Sequence, residues 1–119
     1  MDLSVFLSEL HKCLDTMTAG CVEGLWVLDS GVPGTTGCLE RCEMIRLDET
    51  RGDLDAGSHC PITAVAFRLT GESHPTMYFE RAARRIGLDR ELATQIAEAA
   101  DGSGDSVIRK ALCQALGLE

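Results

Sequence analysis

The stretch Cys60-Pro61-Ile62-Thr63-Ala64-Val65-Ala66-Phe67-Arg68-Leu69 decides how this chain folds. Pro61 suits the first turn of a helix, where a backbone N–H has no partner to lose. Behind it, Ile62, Ala64, Val65, Ala66, Phe67 and Leu69 are apolar, and only Thr63 and Arg68 interrupt. A helix that is apolar nearly all round is covered on more than one side. The spacing therefore predicts a buried central helix over 61–69, with the other helices laid against it and Cys60 at its N-cap.

Toward the C-terminus, Gly71 stops that helix. Thr76 is the expected N-cap of the next, whose stripe is Phe79, Ala82, Ala83 and Ile86 and which Gly87 closes. Arg81, Arg84 and Arg85 fall on its outer side. Asp89 caps a helix carrying Leu92, Ile96 and Ala99 at helical spacing. Asp101-Gly-Ser-Gly104 is a turn. Asp105 caps the last helix, where Val107, Ile108, Ala111, Leu112, Ala115 and Leu116 make a broad stripe that ends at Gly117.

Toward the N-terminus, Leu3, Phe6, Leu7, Leu10, Leu14 and Met17 recur at three- and four-residue steps, which predicts an amphipathic helix over 3–17. Asp2 is its expected N-cap and Gly20 its stop. Residues 21–29 read as a strand or a short helix, with Trp26 pinning them to the core. Residues 30–59 are the least regular. Ser30 to Gly37 is a loop by composition, Cys38 to Leu47 has a weak apolar pattern, and Asp48 to Ser58 is polar and acidic. The fold expected is mainly α, in a single domain over 1–119. It is a compact bundle of about five helices around a buried central helix, with a long irregular segment at about 30–58 that has room for a short hairpin.

The totals agree with that reading. At 119 residues the chain buries roughly two-thirds of its unfolded surface. Hydrophobic residues make up 45% and charged residues 25%, ordinary for a globular domain, whereas aromatics are only 4%. A core of Leu, Ile, Val and Ala favours helix packing over a sandwich or barrel. Net charge is −8, and it is uneven. Residues 1–59 hold 11 Asp/Glu and 4 Lys/Arg, so −7, and residues 60–119 hold 8 and 7, so −1. Such a chain repels polyanions, which argues against direct nucleic-acid binding and for a basic protein surface as partner. No apolar run approaches the ~20 residues of a membrane span. No basic region followed by an apolar run opens the chain, so the cytoplasm is the expected compartment and Cys13, Cys21, Cys38, Cys42, Cys60 and Cys113 are expected to be reduced.

The strings Cys60-Pro-Ile-Thr-Ala-Val-Ala66, Ala99-Ala100-Asp101 and Ala115-Leu-Gly-Leu118 resemble uncharacterised small helical proteins of bacterial and phage genomes. The likeness covers about half of the chain. It implies a helical fold, carries over no known activity and leaves function open.

Four constellations bear on chemistry. In Gly57-Ser58-His59-Cys60-Pro61, a cysteine at a helix N-cap is placed where the first N–H groups favour a thiolate. Cys60 and His59 are therefore the catalytic candidates for a thiol enzyme, with His11 and His74 as histidines that folding could bring close. Cys38 and Cys42 share a helical face and, with His59 and Cys60, offer four ligands of the type zinc takes, though without the spacing of a zinc knuckle. Glu40, Glu43, Asp48, Glu49, Asp53 and Asp55 form an acidic surface; residues 23–55 hold eight acids and three arginines. Such a surface speeds association with a basic partner and selects it. Arg81, Arg84 and Arg85 could hold a phosphate or carboxylate, or pair with the acidic segment of the same or a neighbouring chain, which admits a homodimer. No glycine-rich phosphate loop, paired-carboxylate motif or nucleophile elbow is present.

The expected function is a non-enzymatic, acidic protein-interaction module needing no cofactor. An inhibitor or accessory protein of a phage or mobile element fits, for example one that occupies the basic groove of a CRISPR effector. The alternatives are a thiol-dependent enzyme with Cys60 as nucleophile and a zinc-stabilised domain.

Overall fold

A computed structural model describes residues 1–22, 25–31, 57–72, 79–104 and 106–118, with residues 21, 22, 25 and 58 as backbone alone. These residues are mainly helical. In chain order they form α1 (Leu3–Cys13), β1 (Thr18–Val22), β2 (Leu25–Asp29), β3 (Ser58–His59), α2 (Pro61–Thr70), α3 (Phe79–Arg85), α4 (Arg90–Ala100) and α5 (Ser106–Leu116). The radius of gyration is 12.7 Å, close to the ~13 Å of a compact single domain of this length.

The N-caps act as the side chains require. Asp2 accepts a hydrogen bond from the Val5 N–H at 2.9 Å, and Asp89 from the Leu92 N–H at 3.3 Å. Each satisfies an amide that the first helical turn leaves without a partner. The predicted caps Thr76 and Asp105 lie outside the described residues.

Helix α1 is shorter than its apolar spacing predicts. It ends at Cys13, not at residue 17. The chain turns through Asp15 and Thr16, and the Met17 N–H closes the turn on the Cys13 carbonyl at 2.8 Å. Met17 still enters the core, 6% exposed, so its place in the stripe survives although the helix does not. Thr16 and Thr18 are β-branched and favour extended backbone. Gly20, expected as a helix stop, sits inside β1 opposite Val27.

Residues 18–29 are a β-hairpin. β1 and β2 pair antiparallel from Thr18↔Asp29 to Val22↔Leu25. The two-residue β3 adds to the other edge of β2, antiparallel, with Leu28↔His59 and Asp29↔Ser58 in register. One step beyond, the Ser30 N–H donates to the Gly57 carbonyl at 2.9 Å. Trp26, Val27 and Leu28 are all buried, so β2 is covered on both faces and its apolar run needs no alternation. The hairpin anticipated within 30–58 falls outside the described residues, apart from the ends of that segment.

Pro61 to Ala66 of α2 are buried, and α2 meets α1, α3, α4, β2 and β3. Its last turn emerges: Phe67 is half-buried, Arg68 exposed and Leu69 44% exposed. The expectation of burial along all of 61–69 is thus corrected to its first six residues. Gly71 then ends the helix at φ 76°, and its N–H donates to the Phe67 carbonyl at 2.8 Å. In the core that α2 joins, the side chains of Phe6, Leu10, Leu28, Ile96 and Leu112 are fully enclosed. Burying each contributes about 1.5–3 kcal/mol.

Candidate functional site

The junction between β3 and α2 holds the most unusual chemistry among the described residues. Pairing with β2 fixes His59, and Pro61 starts the helix two residues later. The His59 side chain is fully buried, and neither Nδ1 nor Nε2 has a hydrogen-bond partner. Its ring stacks on Phe67, with centroids 5.2 Å apart and planes 16° from parallel. Burial pushes its pKa down from 6.5 to about 4, against the opposing pull of the Asp29 charge. At neutral pH the ring is uncharged, and its one N–H and one lone pair both go unmet.

Cys60 is the N-cap of α2 and is 8% exposed. Thr63 ties it down. The Cys60 N–H donates to Thr63 Oγ1 at 3.1 Å, and that hydroxyl faces the Cys60 carbonyl at 3.3 Å and Sγ at 3.6 Å. The side chain of Thr63 is fully buried. This is a capping box with Thr in the place usually held by Glu or Gln. His59 and Cys60 are brought together by sequence, but no hydrogen bond joins imidazole to thiol. His11 is elsewhere, with Nδ1 3.0 Å from the Ala115 carbonyl. His74 lies outside the described residues.

The zinc candidates Cys38 and Cys42 also lie outside them. Among the described residues, no group of three or more His, Cys, Asp or Glu side chains could hold a metal ion. No two of Cys13, Cys60 and Cys113 are bonded to each other. Cys13 is buried in the core; its Sγ donates to the Glu9 carbonyl at 3.4 Å, and burial raises its pKa from 9.0 to about 11, Arg68 opposing. The acidic candidates Glu40, Glu43, Asp48, Glu49, Asp53 and Asp55 all fall outside the described residues.

Beside the His59–Phe67 stack is a hollow of about 450 Å³, lined by Lys12, Asp15, Thr16, Met17, Ser30, Phe67 and Arg68. Glu9 stands between its two cations, 3.1 Å from Lys12 Nζ and 3.7 Å from Arg68. Sequence reasoning missed this hollow because three distant stretches build it. The available signal was Arg68, the one charge in an apolar helix.

A second hollow, of about 440 Å³, is lined by Arg81, Arg84 and Arg85, all exposed as their spacing predicts. Arg85 pairs with Glu72 at 3.0 Å, both side chains about half exposed. No described helix is long and apolar enough to cross a membrane. No family model matches the chain, and comparison with curated proteins and with solved structures finds no match.

Proposed function

We propose that this protein is a non-enzymatic interaction module whose acidic 23–55 segment docks on a basic protein surface. The partition of charge carries the reading. The described residues hold ten acids and eight bases, so −2; the remaining positions hold nine acids and three bases, so −6. Residues 23–55 hold eight acids and three arginines, so −5 of the chain's total of −8. Charge so concentrated steers encounter with a basic partner and makes the choice of partner salt-dependent. In this reading α2 is the centre on which the helices are laid, the protein works in the cytoplasm, and the irregular 30–58 segment, with its short hairpin, meets the partner. An inhibitor from a phage or mobile element filling a basic groove is the form that best suits the small size.

The test is reversal of Glu49, Asp53 and Asp55 to Lys together. Proteins retained by the natural chain from its host extract are identified, purified and titrated against both chains. The natural chain binds with an affinity that falls as salt rises, and the reversed chain does not bind while its circular dichroism is unchanged. Equal binding by both chains would end the electrostatic reading. The thiol-enzyme alternative ranks lower because the His59 imidazole does not engage Cys60. Alkylation of Cys60 against pH decides it: a plateau well below pH 8 would promote it. Elemental analysis decides the zinc alternative, which needs about one ion per chain.

A further inference from the structure

We infer that the hollow beside the His59–Phe67 stack binds a small zwitterion with an apolar side chain, an amino acid or a dipeptide. Its volume is about 450 Å³, within the roughly 300–1,000 Å³ of small-ligand pockets. Its two apolar walls are held in place. Met17 is 6% exposed, and its N–H donates to the Cys13 carbonyl at 2.8 Å. Phe67 is braced by the buried His59 ring, with centroids 5.2 Å apart. Walls already fixed spare a ligand the entropic cost of ordering them.

The charges around these walls are of both signs. Lys12 and Arg68 line the hollow, and both already lean on Glu9, at 3.1 Å and 3.7 Å. One carboxylate is thus shared by two cations, which together carry more N–H donors than it can accept. Both cationic side chains still reach solvent, at 49% and 32% exposure. Asp15 lines the same hollow, is exposed, and has no ion-pair partner among the described residues. Two cations and two carboxylates leave the rim neutral, which selects the ligand. A plain anion meets Asp15, and a plain cation meets Lys12 and Arg68. A zwitterion satisfies both signs: its carboxylate goes to Lys12 and Arg68, its ammonium to Asp15, and its side chain to Met17 and Phe67. None of these residues belongs to the acidic 23–55 segment, so the site stands or falls separately from the proposed function.

Isothermal titration of the full chain with L-leucine and with leucyl-leucine tests this, the two probes separating a free amino acid from a dipeptide. Saturable binding of at least one is expected, with a roughly millimolar Kd. The amide of that probe lacks the carboxylate and its N-acetyl form lacks the ammonium; each should bind about tenfold more weakly. Asp15→Asn should erase the preference for the free probe over its N-acetyl form. Arg68→Gln should erase the preference over the amide. If Arg68→Gln disturbs the circular dichroism, Lys12→Gln replaces it. No saturable binding of either probe up to about 50 mM overturns the inference. So do capped forms that bind as well as the free probe, or an Asp15→Asn chain that keeps the preference.

Discussion

The imidazole of His59 lies against the phenyl ring of Phe67, two helical turns further along the chain, at a centroid distance of 5.2 Å and an interplanar angle of 16°. The stack covers one face of the ring and leaves both its nitrogens unmet. A neutral ring tolerates this; a protonated one would be a buried cation without an acceptor. With the folded pKa at about 4 and the ordinary value at 6.5, the unfolded chain binds the proton first as pH falls. Stability is therefore fully present above pH 6.5, declines between 6.5 and about 4, and has lost about 3 kcal/mol from this group once below both values. His59→Leu should flatten that decline and match or exceed the natural chain at neutral pH. Urea denaturation at pH steps compares the two; parallel curves would show that His59 is not the group responsible.

The start of α2 depends on one hydroxyl. Thr63→Val keeps the shape of the side chain and removes the acceptor of the Cys60 N–H, which is buried. Leaving that donor unmet should cost about 1–3 kcal/mol. Thr63→Ser should cost less, because it keeps the oxygen and loses only a methyl group. Denaturant midpoints that rank the two the other way would remove the capping box as the cause.

The far end of α2 depends on a backbone conformation. Gly71 adopts φ 76°, and nothing lies within 4 Å of where a Cβ would be built. Gly71→Ala therefore meets no clash and feels only the left-handed backbone, at roughly 1 kcal/mol. A larger loss in thermal denaturation would mean that a neighbour is displaced after all.

The Cys13 thiol should behave as a core side chain. It is fully enclosed and its pKa stands at about 11. Iodoacetamide at pH 8 should leave Cys13 unmodified in the folded protein and label it in step with unfolding as urea is raised. Peptide mapping reads the site. Rapid labelling without urea would place Cys13 on a locally opening segment.

The residues that announced themselves in the sequence are those with few backbone options. Pro61 and Gly71 mark the two ends of α2, and Asp2 and Asp89 the starts of α1 and α4, because each meets a demand that few other residues meet. The end of α1 was hidden, since Leu14 and Met17 keep the three- and four-residue step through what is actually a turn. β1 was hidden because Thr-Ala-Gly-Cys-Val neither alternates nor runs apolar. β3 is two residues long and exists only through its pairing with β2, a contact between positions about thirty residues apart. At the candidate site the pattern singled out His59 and Cys60 but pointed to metal or thiol chemistry. That the imidazole would be sealed against Phe67 follows from the path of the strand before it, and no local spacing encodes that path.

The bond from Ser30 to Gly57 has one more consequence. Ser30 and Gly57, far apart in sequence, are held side by side at the end of the sheet. Closing the chain at that point carries an entropic cost that grows only slowly with the number of residues between the two positions, so a longer insertion there would add little to it.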